Sequence, residues 1–271
     1  MTYCRHCGAE LEENARFCPK CGTPVAMQTI ERKESIRRRR QSMSLWAIAG
    51  IAVLAIVVVA ALIVFLFLLG GLFPFSRVVG SGNLRTQEEV LSDFVIVDVG
   101  SGFKVLITQA SSFGISVTAD DNLFDYIQVT KTGDTLSIGL DPGVSYQTST
   151  LKATIAMPDL EELQFSGGAN GTATGFVMSH DFRAELSGGS ILRMDGEANN
   201  LMVTCSGGSR LEFSEFAVNN ASIDFSGGSQ GTVNLDGTLD ADLSGGSRLF
   251  YIGNPTLGDI NTSGGSSISP R

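Results

Sequence analysis

The tripeptide Ser-Gly-Gly recurs six times in the C-terminal half of this 271-residue chain, and this repeat limits the possible folds more than any other feature. Successive copies are 21, 19, 20, 18 and 19 residues apart; they begin at Ser166, Ser187, Ser206, Ser226, Ser244 and Ser263. A unit of about 19 residues is too short for a strand followed by a long helix, but it accommodates two or three short strands. The repeat therefore predicts short coils that stack on one another.

Residues that precede each tripeptide alternate between apolar and polar. Two columns are almost entirely apolar: Phe165, Leu186, Cys205, Phe225, Leu243 and Thr262, and two positions earlier Leu163, Ala184, Val203, Ile223, Ala241 and Ile260. The position between them is always polar: Gln164, Glu185, Thr204, Asp224, Asp242 and Asn261. A period of two buries one face of a strand, and stacked strands join these faces into a core. The pattern predicts an all-β domain, a parallel β-helix or related β-solenoid.

The Gly-Gly pair is interpreted as the corner between strands. A sharp bend needs a positive φ or a position without a Cβ, and glycine supplies both. We expect the serine hydroxyls of neighbouring coils to hydrogen-bond along the stack. An alternative is that the six glycine-rich corners form an anion or glycan site.

The C-terminal two thirds of the chain resemble a known family. The resemblance rests on Phe94 to Gln109 (FVIVDVGSGFKVLITQ), on the Asp-Asn-Leu segment at Asp121, on Ala153 to Gly168 (ATIAMPDLEELQFSGG) and on the Ser-Gly-Gly coils. This order is similar to the GIN head domain, a family of unknown function labelled as an autotransporter adhesin head. The resemblance implies a parallel β-helix over residues 93–271 and identifies no site residues.

An apolar segment separates the two ends of the chain. No charged residue occurs between Arg40 and Arg77, and Leu45 to Leu69 are almost entirely aliphatic, aromatic or glycine. As a helix these 25 residues would extend roughly 37 Å, enough to cross a bilayer core of about 30 Å. The run is too long for a signal peptide and has no clear cleavage site after it. It predicts one transmembrane helix over residues 45–73 and excludes a purely soluble, cytosolic enzyme.

Charge predicts the orientation of this helix. Residues 1–44 carry nine Lys and Arg against five Asp and Glu, whereas the residues after Pro74 have a net charge of -13. Four consecutive arginines, Arg37 to Arg40, directly precede the apolar run, which places the N-terminus in the cytoplasm and the C-terminal domain outside. We favour this interpretation over a nucleic-acid-binding patch. Residues 27–44 would be a basic juxtamembrane connector and residues 74–92, with Gly80-Ser81-Gly82, a flexible linker.

Residues 1–26 contain two Cys-x-x-Cys-Gly motifs. Cys4, Cys7, Cys18 and Cys21 would form a closed tetrahedral thiolate site for a structural Zn²⁺, with no open position for water or substrate. Because so short a segment cannot bury a core, metal binding would stabilise its fold. The alternative is disulfides or redox pairs, which a cytoplasmic location disfavours. His6 could compete as a ligand, but we expect it to be exposed. The segment resembles the short zinc ribbon of many prokaryotic membrane proteins, which implies a small interaction or tethering module.

Candidate catalytic groups are few in the C-terminal domain. His180 lies in a Ser-His-Asp loop, and a lone histidine there is more often solvated than catalytic. The polar column of Glu185, Asp224 and Asp242, flanked by Asp240 and Asp259, could imitate the carboxylate cluster of a polysaccharide-cleaving enzyme, but we interpret it as a solvated face. We predict no enzyme activity and a buried free thiol at Cys205. Three glycosylation sequons begin at Asn170, Asn220 and Asn261.

Together these features predict a single-pass membrane protein that presents an extracytoplasmic β-solenoid. The solenoid would bind or adhere to an envelope polymer, a glycan or a protein. The alternative is an envelope sensor that signals through the zinc ribbon to a cytoplasmic protein partner.

Overall fold

The computed structural model describes residues 2–4, 6–11, 15–24, 77–148 and 150–271. The chain divides into two units, residues 1–72 and 73–271. The predicted connector (27–44) and transmembrane helix (45–73) lie outside the described residues. Within the described ranges, no helix has the length and apolar character needed to cross a membrane.

The described residues of the first unit contain one short hairpin. Strand β1 (Thr2–Tyr3) pairs antiparallel with β2 (Glu10–Leu11). Its buried residues are Cys4, Leu11 and Cys18. This cluster is too small to stabilise a fold by burial of apolar surface alone.

Over residues 77–148 and 150–271 the second unit is all-β, with one 3-10 turn at Asp121–Leu123 that lies in the segment where the sequence allows a short helix or turn. Its strands are β3 (Arg77–Val79), β4 (Leu84–Glu89), β5 (Ile96–Val99), β6 (Lys104–Gln109), β7 (Gly114–Asp120), β8 (Ile127–Thr132), β9 (Thr135–Leu140), β10 (Ser145–Gln147), β11 (Leu151–Met157), β12 (Glu162–Phe165), β13 (Asn170–Val177), β14 (Phe182–Leu186), β15 (Ile191–Cys205), β16 (Arg210–Phe225), β17 (Gln230–Leu235), β18 (Thr238–Leu243), β19 (Arg248–Ile252), β20 (Thr256–Thr262) and β21 (Ser267–Pro270).

All of these strands except β3 and β10, which pair in a separate two-stranded sheet, form two rows that enclose one core. The front sheet has the order β4-β7-β11-β6-β13-β15-β16-β17-β19-β21, and the back sheet has the order β8-β9-β5-β12-β14-β15-β16-β18-β20. Strands β15 and β16 belong to both rows because each runs from the front sheet into the back sheet. From β12 onward each coil contributes one stretch of strand to each sheet, and a Ser-Gly-Gly turn leads from back to front. The predicted stack of short-strand coils is confirmed.

The predicted columns are in register in the back sheet. Phe165, Leu186, Cys205, Phe225 and Leu243 lie next to one another on successive coils and point into the core. Gln164, Glu185, Thr204, Asp224 and Asp242 form the outward column between the two apolar ones. The period-two pattern therefore identified both the strands and their buried face.

The Ser-Gly-Gly corners are tight turns, and the backbones of the turns in successive coils contact one another. In the turn at Ser206, Gly207 and Gly208 have φ of 64° and 78°, and the N–H of Ser209 donates to the carbonyl of Ser206 at 3.3 Å. Positive φ at both central residues is the signature of a type I′ turn. A Cβ on Gly207 would lie 3.0 Å from the backbone nitrogen of Gly188 in the preceding coil. The first glycine is therefore required by both conformation and space.

The expectation that serine hydroxyls bond along the stack is corrected at four of the five serines that follow a Gly-Gly pair. The hydroxyl of the fifth, Ser266, does accept from the N–H of Ser247 in the preceding coil, at 3.1 Å. The hydroxyls of Ser190, Ser209, Ser229 and Ser247 each donate at 2.7 Å to the carbonyl of the first serine in their own turn. These four side chains are buried, so each hydroxyl must find a partner locally. The bond closes the turn instead of joining two coils.

A seventh corner has a different sequence. In Gly100-Ser101-Gly102, Ser101 and Gly102 have φ of 56° and 74°, and the N–H of Phe103 donates to the carbonyl of Gly100 at 3.3 Å. A Cβ on Gly167 would lie 3.2 Å from the nitrogen of Ser101, so this corner begins the same stack. The Ser-Gly-Gly repeat does not include this corner because its residues differ, although its turn conformation is the same.

The first part of the solenoid is less regular, as expected for a capping region. Strand β11 lies between β6 and β7, parallel to the former and antiparallel to the latter, and β8 and β9 form an antiparallel pair.

The segment predicted as a flexible linker is instead part of the folded unit. Strand β4 pairs antiparallel with β7, and β3 pairs parallel with β10. Between them, the N–H of Gly82 donates to the buried carboxylate of Asp120 at 2.9 Å. A Cβ on Gly80 would lie 2.3 Å from that carboxylate. Glycine at these positions permits close packing and therefore does not indicate a flexible segment.

Substitution of the two glycines of one turn would separate conformational strain from coil stacking. Asparagine tolerates positive φ, so Gly208→Asn, which has open space around it, should cost about 1 kcal/mol or less. Gly207→Asn should cost roughly 1–3 kcal/mol more because the backbone of Gly188 must move. Chemical denaturation of both variants measures the difference. Equal costs would contradict stacking at the first glycine.

Removal of β3 and β4 should destabilise the solenoid. A chain of residues 93–271 loses the six residue pairs between β4 and β7 and exposes the edge of β7. We expect a loss of about 2–3 kcal/mol relative to residues 77–271, or roughly 5–10 °C in Tm. Thermal unfolding of the two chains, monitored by circular dichroism, tests this; identical midpoints would restore the linker interpretation.

Candidate functional site

Each Cys-x-x-Cys-Gly motif folds into the same small loop. In the first, the N–H of Gly8 donates to the carbonyl of Cys4 at 2.8 Å; in the second, Gly22 donates to Cys18 at the same distance. Gly8 and Gly22 have φ of 69° and 72°, a conformation that favours glycine. The glycine after each second cysteine thus allows the chain to turn back sharply.

The two loops bring together the four cysteines that the sequence identified. The Sγ atoms of Cys4 and Cys21 are 3.7 Å apart and those of Cys7 and Cys18 are 3.6 Å apart; all four lie within 4.8 Å of one another. Four sulfurs at about 2.3 Å from a tetrahedral Zn²⁺ would be roughly 3.8 Å apart. The cluster therefore fits a metal ion with four thiolate ligands. His6 is exposed and is not part of the cluster.

Hydrogen bonds to the sulfurs shift their pKa values in different directions. The backbone N–H groups of His6 and Cys7 lower the pKa of Cys4. The hydroxyl and N–H of Thr23 lower the pKa of Cys21 to about 6. For Cys7 the N–H of Ala9 lowers the pKa, but the Cys21 sulfur, burial and the remaining two sulfurs together raise it to about 12. Backbone and Thr23 donors thus favour the thiolate form that binds a metal.

The outward side of the back sheet is acidic. Its two central columns contain Arg183 and six carboxylates: Asp98, Glu162, Glu185, Asp224, Asp240 and Asp242. Of the predicted cluster, Asp224 and Asp242 are direct neighbours, whereas Thr204 separates Glu185 from Asp224. The carboxylate of Asp240 accepts from the N–H of Asp259 at 2.8 Å. Burial raises the pKa of Asp98, a carboxylate outside the cluster predicted from the sequence.

The outward side of the front sheet carries the opposite charge, which the sequence analysis missed. Its two central columns contain Glu212 and five basic residues: Lys104, Lys152, Arg193, Arg210 and Arg248. The repeated Ser-Gly-Gly-Ser-Arg at Ser206 and Ser244 is a sequence feature that could have revealed it. We call these outward surfaces the basic face and the acidic face.

His180 and Cys205 occupy separate environments. His180 Nε2 is 2.9 Å from the carboxylate of Asp159, and the carbonyl of Asp181 and that carboxylate raise the histidine pKa. Cys205 is fully buried in the core, and burial raises its pKa to about 12. A thiol with this pKa is protonated at neutral pH and a poor nucleophile.

Asparagines form a ladder at the corner opposite the Ser-Gly-Gly turns. Asn219 and Asn220 donate to the side-chain oxygens of Asn199 and Asn200 at 3.0 and 2.8 Å. Two of the sequon asparagines contribute to such contacts: Asn220 in this ladder and Asn170, which accepts a long bond of 3.4 Å from Arg193. Asn261 is exposed.

Comparison with known proteins supports both units. Residues 93–255 match the family described as "Putative auto-transporter adhesin, head GIN domain", and residues 3–25 match a zinc-ribbon domain. No curated protein matches the chain.

Similar solved structures include an adhesin-like protein from Bacteroides fragilis NCTC 9343, described as a "putative adhesin". It is 19% identical, has a TM-score of 0.58 and covers 72% of this chain and 100% of its own. A "putative lipid binding protein" from Parabacteroides distasonis ATCC 8503 is 18% identical, with a TM-score of 0.49 and the same coverage. The first likeness shows a shared fold. Because the family match extends over more than half of its length, the chain belongs to the family described as "Putative auto-transporter adhesin, head GIN domain".

Proposed function

We propose that this protein is a single-pass membrane protein whose solenoid lies outside the cell and binds an envelope polymer, a glycan or another protein. The single observation that carries the proposal is the pair of extended sheet faces with opposite charge, each repeating its side chains at about 4.8 Å per coil. Extended repetitive faces suit extended ligands. The adhesin family and the uncharged run between Arg40 and Arg77 support the same proposal.

The zinc ribbon is proposed to hold one structural Zn²⁺ on the cytoplasmic side. Cys4, Cys7, Cys18 and Cys21 would fill all four positions, so the ion would have no site for substrate. Binding of the ion would supply the free energy of folding for a unit whose buried cluster is very small.

A cytoplasmic ribbon of this kind also suits the second proposal, a sensor that contacts a cytoplasmic protein. Pull-down with the full chain tests it. A partner that is lost in the Cys4→Ser/Cys18→Ser variant supports signalling through the ribbon, and an unchanged set of partners contradicts it.

Loss of two ligands should remove the metal without unfolding the solenoid. We expect one Zn²⁺ per chain by elemental analysis and none in Cys4→Ser/Cys18→Ser, with faster amide exchange over residues 2–24. Cys205→Ala should keep the metal because that thiol lies in the other core. The Tm of the solenoid should stay within about 2 °C in the ligand variant, since each unit has its own core. Zinc retained by that variant would contradict the assignment.

Binding to envelope components tests the proposed function. The full chain in neutral detergent should bind at least one member of an array of cell-envelope polysaccharides and proteins in a saturable manner, measured with and without Ca²⁺. Heat-unfolded protein serves as the control for non-specific adsorption. No saturable binding to any member would contradict a binding module.

A further inference from the structure

The basic face contains a groove that is lined by residues of four successive coils. It has a volume of about 460 Å³ and is lined mainly by Arg210, Glu212, Gln230, Thr232, Phe250 and Arg271. Cavities that hold small molecules fall in the range of about 300–1,000 Å³. Register places Glu212, Thr232 and Phe250 side by side on successive strands, so the groove runs across the strands and along the stack.

Side chains of the stacked strands form the floor and one wall of the groove. Thr232 is buried between its neighbours, whereas Phe250 remains 36% exposed beside it. The guanidinium of Arg271 reaches back to the hydroxyl of Thr232, with Nη1 and Oγ1 3.4 Å apart. The ring of Phe250 is therefore accessible to a ligand in the groove.

Charge at the groove is unbalanced. Arg193 Nε lies 2.7 Å from Glu212, and Arg210 Nη1 lies 4.0 Å from the same carboxylate, so the one acidic residue is already paired. Among the described residues, Arg248 and Arg271 make no ion pair. Two arginines, Arg210 and Arg271, line the groove together with Glu212, which Arg193 already neutralises. The side chains at the groove therefore carry a local excess of positive charge, although the chain as a whole carries -9.

We propose that this groove binds an acidic carbohydrate chain, with a carboxylate or other anionic substituent on Arg210 and Arg271 and a sugar ring against Phe250. Guanidinium groups bind planar oxyanions through two parallel hydrogen bonds, which favours an anionic partner. Gln230 offers an amide for sugar hydroxyls. The inference rests on the proposed function and specifies its ligand class and its face.

The probes are an oligogalacturonate, a neutral galactose oligomer of the same length and inorganic polyphosphate, titrated calorimetrically into the full chain in neutral detergent. We expect the oligogalacturonate to bind, the neutral oligomer to bind at least tenfold more weakly, and affinity to fall with salt. Arg210→Gln/Arg271→Gln should weaken oligogalacturonate binding by about tenfold or more, which corresponds to about 1.4 kcal/mol. Phe250→Ala should weaken the same binding and leave polyphosphate unaffected.

Matched variants control for net charge and folding. Lys131→Gln/Arg183→Gln changes the net charge by the same amount but at β8 and on the acidic face, and it should leave affinity within about twofold. Asp224→Asn/Asp242→Asn should leave binding unchanged or slightly tighter. Thermal unfolding checks that every variant retains the fold.

The outcomes separate this inference from the proposed function. Oligogalacturonate binding that survives both arginine substitutions overturns the assignment to this groove. Oligogalacturonate binding that is unaffected by Phe250→Ala, or that polyphosphate equals in affinity, overturns the assignment to a carbohydrate. Binding only to neutral glycans or to proteins overturns this inference and leaves the binding function intact. No binding to any probe or envelope component overturns both.

Discussion

The solenoid depends on the contact between the first glycines of successive turns. At Gly188, Gly207, Gly227, Gly245 and Gly264, a Cβ would lie 2.9–3.1 Å from the backbone nitrogen of the glycine in the preceding coil. Contact this close sets the distance between coils at one corner. With this distance kept constant, the strands of the back sheet pair continuously from β5 to β18. Coils of 18 to 21 residues can stack because the extra residues are absorbed elsewhere, as register shifts in the front sheet between Ala173 and Phe176 and between Glu212 and Ala217.

Continuous register also determines the surface. Once the inward columns are filled with Phe, Leu, Ile and Val, the alternate positions must face solvent, and their charges add along the stack. Like charges directly opposite one another are destabilising, as for Asp224 and Asp242. Elsewhere Thr204 separates Glu185 from Asp224 and avoids this repulsion. The chain retains a strongly charged pair of faces at some cost in stability, which supports a role for these faces in binding.

The N-terminal unit follows a different principle. Its buried cluster is too small to stabilise the fold by exclusion of water. Its order comes from two similar loops that bring four sulfurs close together. Because the solenoid has a separate, much larger core, metal at one end and ligand at the other need not affect each other's stability. Communication between them would require the intervening segment, which is why the sensor proposal needs evidence from partners.

Local and periodic features were determined by the sequence alone. The turn residues, the inward columns and the four cysteines each depend on spacing within one repeat or one motif, so counting along the chain was sufficient. Three features were decided by tertiary structure. Gly100-Ser101-Gly102 belongs to the stack because it has the positive φ angles of the other turns, although its residues differ from Ser-Gly-Gly. The strands at Arg77–Val79 and Leu84–Glu89 form because distant partners, β10 and β7, accept their hydrogen bonds. The basic face exists because register carries Lys104, Arg210 and Arg248 to one column across coils of unequal length, and a shift of one residue would have turned them to the other side of the sheet.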